Sequence, residues 1–271
     1  MKKKFIKMHG LGNDYIYFNC LDEEFIDAEH WVKTLSNRNL GIGGDGIVLI
    51  KRSKLADAMM VMFNADGSEG AMCGNAIRCV GKLLFDEGIV KNNCMNIETK
   101  SGIKSLEIKD NLIKVNMGAP RFCKDDNLLP EKITIEGQDY YIIRVNMGNP
   151  HAVVFEDNLD KIDLKKIGPL FEHHDLFKPH RINTEFVKVL SKNHLKMRVW
   201  ERGSGETKAC GTGACAAAIA ACQKRLCDMN TDIIVTLDGG DLTINYTLDT
   251  VYMSGSAHKV FEGEIDLNEI K

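Results

Sequence analysis

The feature that most narrows the folds open to this chain of 271 residues is that it repeats itself. Gly12-Asn13-Asp14-Tyr15-Ile16-Tyr17-Phe18 is answered by Gly148-Asn149-Pro150-His151-Ala152-Val153-Val154-Phe155, with the two asparagines 136 residues apart. Asp66-Gly67-Ser68 and then Met72-Cys73-Gly74-Asn75 are answered by Arg202-Gly203-Ser204 and then Ala209-Cys210-Gly211-Thr212, the two cysteines 137 residues apart. A near-constant offset over unrelated motifs predicts two structurally similar halves, since a repeated supersecondary unit keeps its spacing. The length suits two domains, each large enough for a core.

Hydrophobic periodicity fills in the halves. Runs such as Phe5–Met8, Tyr15–Asn19, Gly46–Ile50, Ala58–Asn64 and Met95–Thr99 read as strands, as do Ser105–Ile108 and Leu112–Asn116. The second half supplies Lys132–Glu136, Tyr141–Asn146, His151–Phe155, Glu185–Leu190, His194–Trp200, Asp232–Leu237, Leu242–Tyr246 and Thr250–Ser254. Many alternate apolar with polar residues, the mark of half-buried antiparallel strands. Two segments differ. Asn75–Glu87 puts Ala76, Cys79, Val80, Leu83 and Leu84 at helical spacing ahead of Gly88, and Ala-rich Thr212–Leu226 does the same ahead of basic residues. The expected architecture is mostly β with a few helices packed against or inside the sheets.

Composition excludes several functions. A formal net charge of −3 provides no excess of Lys and Arg for nucleic acid or an anionic membrane. The opening Met1–Gly12 is basic but lacks the apolar stretch of a signal peptide. The longest apolar run, Ala214–Cys222, is far short of the ~18 residues of a membrane span. A cytoplasmic protein is expected. Its nine cysteines, at 20, 73, 79, 94, 123, 210, 215, 222 and 227, show no CxxC spacing, so free thiols are expected and a zinc ribbon is not. Cys79, Cys215, Cys222 and Cys227 read as packing residues within the helices.

Cys73 and Cys210 stand apart because they occupy equivalent places in the repeat. Each precedes Gly and then a residue that can open a helix. A thiol at a helix N-terminus lies at the positive end of the macrodipole, which predicts a thiol pKa lowered toward the range of reactive cysteines. Gly74 and Gly211 let backbone N–H groups approach a carboxylate. Two symmetric acid/base groups suit the inversion of a carbon stereocentre: one removes the α-proton and the other delivers a proton to the opposite face.

These segments resemble diaminopimelate epimerases. The resemblance rests on His9–Asp14, Phe63–Gly67, Met72–Cys79, Met147–His151, Arg181–Phe186 and Trp200–Gly213, in order from residue 5 to about 215. It implies a cofactor-independent isomerase interconverting LL- and meso-2,6-diaminopimelate, en route to lysine and peptidoglycan precursors. It also implies an α+β or α/β fold of two pseudo-symmetric domains, each a mostly antiparallel barrel-like sheet around a central helix. Residues 1–117 joined by 255–271 would form one domain and 118–254 the other. Position by position, Cys73 and Cys210 match the family's base and acid. Asn13, Asn64, Asn149 and Asn183 match its substrate-binding asparagines. Gly74-Asn75 and Gly211-Thr212 match its backbone carboxylate cradles. Glu201 and Arg202 match the pair for the distal amine and carboxylate, and His151 and Glu201 match the residues that tune the thiols. A homodimer without metal, nucleic acid or membrane partner is implied. One departure is visible: in Gly41-Ile42-Gly43-Gly44-Asp45-Gly46, some relatives carry a glutamine where Gly46 stands.

Competing readings are weaker. Gly41–Gly46 fits GxGxxG, but a dinucleotide fingerprint follows a strand and opens a helix, whereas this one precedes strand-like Ile47–Ile50. His173-His174, near Asp175 and His180, reads as a solvated loop rather than a metal site. A proline racemase of similar fold would leave Glu201-Arg202 without a purpose. A thiol redox enzyme would need a resolving cysteine.

Overall fold

The computed structural model describes residues 1–121 and 130–270; Cys123 lies outside them. The chain divides into two compact units, residues 1–115 with 255–271, and residues 116–254.

The first unit opens with β1 (Lys2–Gly10) and β2 (Asn13–Cys20), followed by α1 (Ala28–Ser36), β3 (Gly46–Lys51), β4 (Ala58–Asn64) and the short β5 (Glu69–Gly70). Then come α2 (Gly74–Asp86), β6 (Cys94–Thr99), β7 (Gly102–Lys109) and β8 (Leu112–Gly118). β1 pairs antiparallel with β2, β2 parallel with β3, β3 antiparallel with β4, and β4 parallel with β6. β6, β7 and β8 continue antiparallel, and β5 lies beside the far end of β4. α2 touches β1 and β2 as well as β6 and β7, so one curled sheet encloses it. Residues 74–81 of this helix are all buried. α1 covers the outer side of the sheet, where Val32 and Leu35 pack with Ile16, Phe18, Ile47 and Leu49.

The second unit contains β9 (Glu131–Ile135), β10 (Gln138–Asn146), β11 (Pro150–Phe155), α3 (Leu164–Glu172) and β12 (Asn183–Ser191). It continues with β13 (His194–Glu201), β14 (Gly205–Thr207), α4 (Gly211–Gln223), β15 (Asp232–Leu237), β16 (Gly240–Tyr246) and β17 (Val251–Gly255). Its pairing reproduces the first: β9–β10–β11 antiparallel, β11–β12 parallel, β12–β13 antiparallel, β13–β15 parallel, then β16 and β17 antiparallel. α4 touches strands from β10 to β16. It is apolar on every side, and residues 213–222 are all buried, as befits a helix with no solvent face. α2 begins at Gly74 and α4 at Gly211, so the offset of 137 in the sequence is an offset between equivalent helices.

The last strand, β18 (His258–Asp266), returns to the first unit and pairs antiparallel with β1. It takes the place beside β1 that β9 takes beside β10. β18 and the helices α1 and α3 are not among the elements expected from the sequence, although Ala28, Trp31, Val32 and Leu35 in α1 and Leu164, Ile167 and Phe171 in α3 stand at helical spacing. α3 carries Gly168 and Pro169, both poor helix formers, and is held by burial of Leu164 and Phe171. Cys227, expected within a helix, lies beyond the end of α4; it is buried in the turn that follows, where Arg225 adopts φ +60°.

Candidate active site

Each unit presents its cysteine at the same place, the residue that caps the buried helix. Cys73 is extended (φ −129°, ψ 123°) ahead of α2 and Cys210 likewise (φ −118°, ψ 111°) ahead of α4. Both stand where the first N–H groups of a helix have no intrahelical partner, which favours an anion.

In the first unit, Gly74 and Asn75 are held from behind. The fully buried guanidinium of Arg78 donates to the Gly74 carbonyl at 3.0 Å and to Asn75 Oδ1 at 2.9 Å. The Cys73 thiol donates to Asn13 Oδ1 at 3.3 Å. Asn13 follows a tight turn at Leu11 and Gly12, both with positive φ. Its amide nitrogen donates to Asp45 Oδ2 at 2.7 Å, and the same oxygen accepts the Asp14 N–H at 3.1 Å. Arg38 bridges Asp14 and Asp45, and the Lys7 ammonium reaches Asp14 at 2.6 Å. The Gly41–Gly46 loop therefore delivers Asp45 to Asn13. It leads into β3 and opens no helix, so the dinucleotide reading fails. A Cβ at Gly46 would run into the Phe63 carbonyl and lie 2.9 Å from Tyr15 Cε1, so this backbone has no room for a larger side chain there. Asn64 is set apart from this network, its amide donating to Ser68 Oγ at 3.0 Å within its own turn.

In the second unit, the Cys210 sulfur accepts the Gly213 N–H at 3.4 Å and lies 3.5 Å from Thr212 Oγ1. Asn149 donates to that hydroxyl at 3.3 Å, and its Oδ1 lies 3.0 Å from His151 Nε2. His151 Nδ1 meets Glu185 Oε1 at 2.6 Å, with both side chains fully buried. Asn183, also buried, ties two elements together: its amide donates to the Pro150 carbonyl at 3.2 Å and its Oδ1 accepts the Arg202 N–H at 2.8 Å. Arg202 Nη1 donates to the His180 carbonyl at 2.6 Å. Glu201 accepts the Thr207 hydroxyl; burial pushes its carboxyl above its ordinary value, against the opposing pull of the Thr207 and Cys210 side chains. The paired histidines are local, His174 Nδ1 accepting the Leu176 N–H at 3.3 Å.

The electrostatics correct the expected lowering of both thiol pKa values at one of the two sites. Burial, reinforced by the carboxyls of Glu201 and Glu185, pushes the Cys210 thiol well above its ordinary value. The Thr212 hydroxyl and Gly213 N–H act the other way but do not prevail. Desolvation of a thiolate outweighs a helix end that is already occupied by the sulfur. Three residues that lie within the quoted segments but have no role assigned there contact this machinery: Arg78, Asp45 and Glu185. Glu185 had a signal, as a carboxylate in the otherwise apolar or neutral run Asn183–Val187, whose residues are all buried.

A family model of diaminopimelate epimerase matches residues 5–123 and 143–260. The chain belongs to the diaminopimelate epimerase family. The diaminopimelate epimerase of Acetivibrio thermocellus is 50% identical, over 98% of this chain and 100% of its own. Among solved structures, a PhzF-family phenazine biosynthesis protein of Bacillus anthracis superposes with TM-score 0.76 at 18% identity, covering 98% of this chain and 100% of that one. A hydroxyproline epimerase of Agrobacterium vitis gives TM-score 0.70 at 14% identity, covering 99% and 93%. These two likenesses speak for the fold, and the diaminopimelate epimerase match for an isomerase built on it.

Proposed function

We propose that this protein interconverts LL- and meso-2,6-diaminopimelate by proton transfer between two thiols and a substrate α-carbon, without a cofactor. The observation that carries the reading is the equivalence of Cys73 and Cys210, each capping the buried helix of its own unit. A thiolate takes the α-proton while the C–H bond pair stays on carbon. The other thiol then gives its proton to the opposite face, and its sulfur keeps that bond pair as the new thiolate. Exchange with solvent resets the pair. Gly74-Asn75 and Gly211-Thr212 offer N–H groups to the carboxylate beside the reacting carbon. Asn13, Asn64, Asn149 and Asn183 serve as neutral amides for a substrate of mixed charge. Arg202 offers a fork to the distal carboxylate and Glu201 a charge to the distal amine. His151 and Glu201 tune the two thiols. Residues 1–117 with 255–271 and residues 118–254 are the corresponding functional domains.

We also propose a cytoplasmic homodimer acting in lysine and peptidoglycan precursor synthesis. No helix among the described residues is long and apolar enough to cross a membrane. β18 exposes Val260 and Phe261 beside β1, an apolar patch that a second copy would cover.

LL-diaminopimelate, protein and heavy water test the reading together. Proton NMR at low conversion should show deuterium at the inverted α-carbon of the meso product and little in the remaining substrate. Cys73→Ala and Cys210→Ala should each remove most turnover while leaving the fold intact. Product largely free of deuterium, or normal turnover by either variant, would overturn the two-thiol assignment.

A further inference from the structure

Glu185 is the carboxylate that the proposed chemistry leaves unexplained. It lies in β12 between β11 and β13 and is fully buried, as is its partner His151. Oε1 holds His151 Nδ1 at 2.6 Å, while Oε2 has no hydrogen-bond partner among the described residues. As a mere core filler this would be a poor choice, because a buried carboxylate oxygen without a donor is costly and an apolar side chain would pack better.

The carboxylate also presses on the reacting centre. A Cβ at Gly213 would stand 2.7 Å from Glu185 Oε1 and 3.3 Å from Cys210 Cβ, so only glycine lets the acid and the helix N-terminus come this close. From His151 a line of polar contacts runs to sulfur: Nε2 to Asn149 Oδ1 at 3.0 Å, Asn149 Nδ2 to Thr212 Oγ1 at 3.3 Å, and Thr212 Oγ1 to Cys210 Sγ at 3.5 Å. The charged and titratable groups around Glu185 and Cys210 are His151 from β11, Glu201 from β13 and the thiol itself at the cap of α4.

Building on the two-thiol reading, we propose that Glu185 is the positioning residue of the second thiol. It fixes the ring of His151, and through Asn149 and Thr212 it orients Cys210 as the proton donor of the resting protein. The carboxylate also raises the thiol directly, in the direction expected of a like charge close by.

Glu185→Gln keeps the shape and removes the charge. It should fold, lose about tenfold or more in kcat with a much smaller change in KM, and move the alkaline limb of the kcat/KM profile to lower pH by roughly half a unit or more. The acid limb should stay. His151→Gln should show a comparable loss, and the double variant little more than either alone, because the two residues act as one unit. Glu185→Asp should recover part of the rate, and it supplies the same comparison if Glu185→Gln does not fold. A variant with both limbs in place and kcat unchanged, even with a lowered melting temperature, would overturn the proposal, as would losses that multiply in the double variant. Cys210→Ala keeps the two failures apart: if it still epimerises, the two-thiol reading itself falls; if it is dead while Glu185→Gln behaves as wild type, only the role of Glu185 does.

Discussion

Removing the Asp45 side chain is expected to weaken the reaction more than the fold. Asp45→Ala deletes three contacts: Asn13 Nδ2 at 2.7 Å, the Asp14 N–H at 3.1 Å and Arg38 Nη2 at 2.9 Å. The Arg38 contact is worth little, because that side chain is 58% exposed and keeps both oxygens of Asp14. The other two are hydrogen bonds worth about 0.5–1.5 kcal/mol each, for a stability loss of about 1–3 kcal/mol. The backbone contacts of Asp45 with Asp14 and Ala65 remain, so the loop should stay in place. Asn13 loses the acceptor that fixes its amide, and with it the orientation of Oδ1 toward the Cys73 thiol. An amide free to rotate should cost about tenfold in kcat/KM, equivalent to ~1.4 kcal/mol. Chiral chromatography of LL-diaminopimelate turnover gives the rate, and urea unfolding gives the stability. If the variant unfolds more readily yet retains wild-type kcat/KM, the Gly41–Gly46 loop is only scaffolding and the argument from Asp45 to Asn13 to Cys73 is refuted.

Arg202→Lys keeps the charge but not the fork, and should cost about 1.5–3 kcal/mol in kcat/KM, with an unchanged ratio excluding a carboxylate contact at that position. Burial pushes the Cys79 thiol up to about 11 in the folded protein, so the unfolded chain ionises first as pH rises. That residue's stabilising share is intact below pH 9 and should drain away between about pH 9 and 11, at ~1.4 kcal/mol per pH unit, a slope that urea midpoints should find reduced in Cys79→Ala. A Cβ at Gly168 would lie 2.5 Å from Trp200 Cε3, so Gly168→Ala should cost about 1–3 kcal/mol by overpacking, and calorimetry showing no change would mean that α3 yields freely.

The strands were legible because most of them alternate, and β4 over Ala58–Asn64 matches its sequence reading end to end. Apolar spacing located both central helices, and the constant offset marked them as equivalent, since the motif carrying it contains their capping cysteines. α1 and α3 are amphipathic, with Ala28, Trp31, Val32 and Leu35 and with Leu164, Ile167 and Phe171 at helical spacing, but at nine residues each they are too short for that pattern to stand out among the surrounding strands. β18 was hidden for another reason, because its residues are mostly exposed and its partner β1 is more than 240 residues away. The asparagines and thiols of the site could be read from motifs, but their electrical setting could not. Whether a helix N-terminus or a buried carboxylate governs Cys210 depends on how much water reaches the sulfur, and Glu185 lies 25 positions away in the chain. Asp45 illustrates the same limit: within a glycine-rich hexapeptide it looks like turn chemistry until β2 brings Asn13 to it.

The return of β18 to β1 reverses the order of birth and completion. On a ribosome, residues 1–115 emerge first, yet the strand beside β1 is encoded by residues 258–266 and arrives last. The second unit is contiguous from 116 to 254 and has every strand of its sheet before that segment appears. The older half must therefore wait for the younger one, with the outer edge of β1 unpaired and its N–H and C=O groups open to any passing strand. Synthesis rate and chaperone cover over that interval, rather than the stability of the finished protein, would set how much of the chain is lost to aggregation.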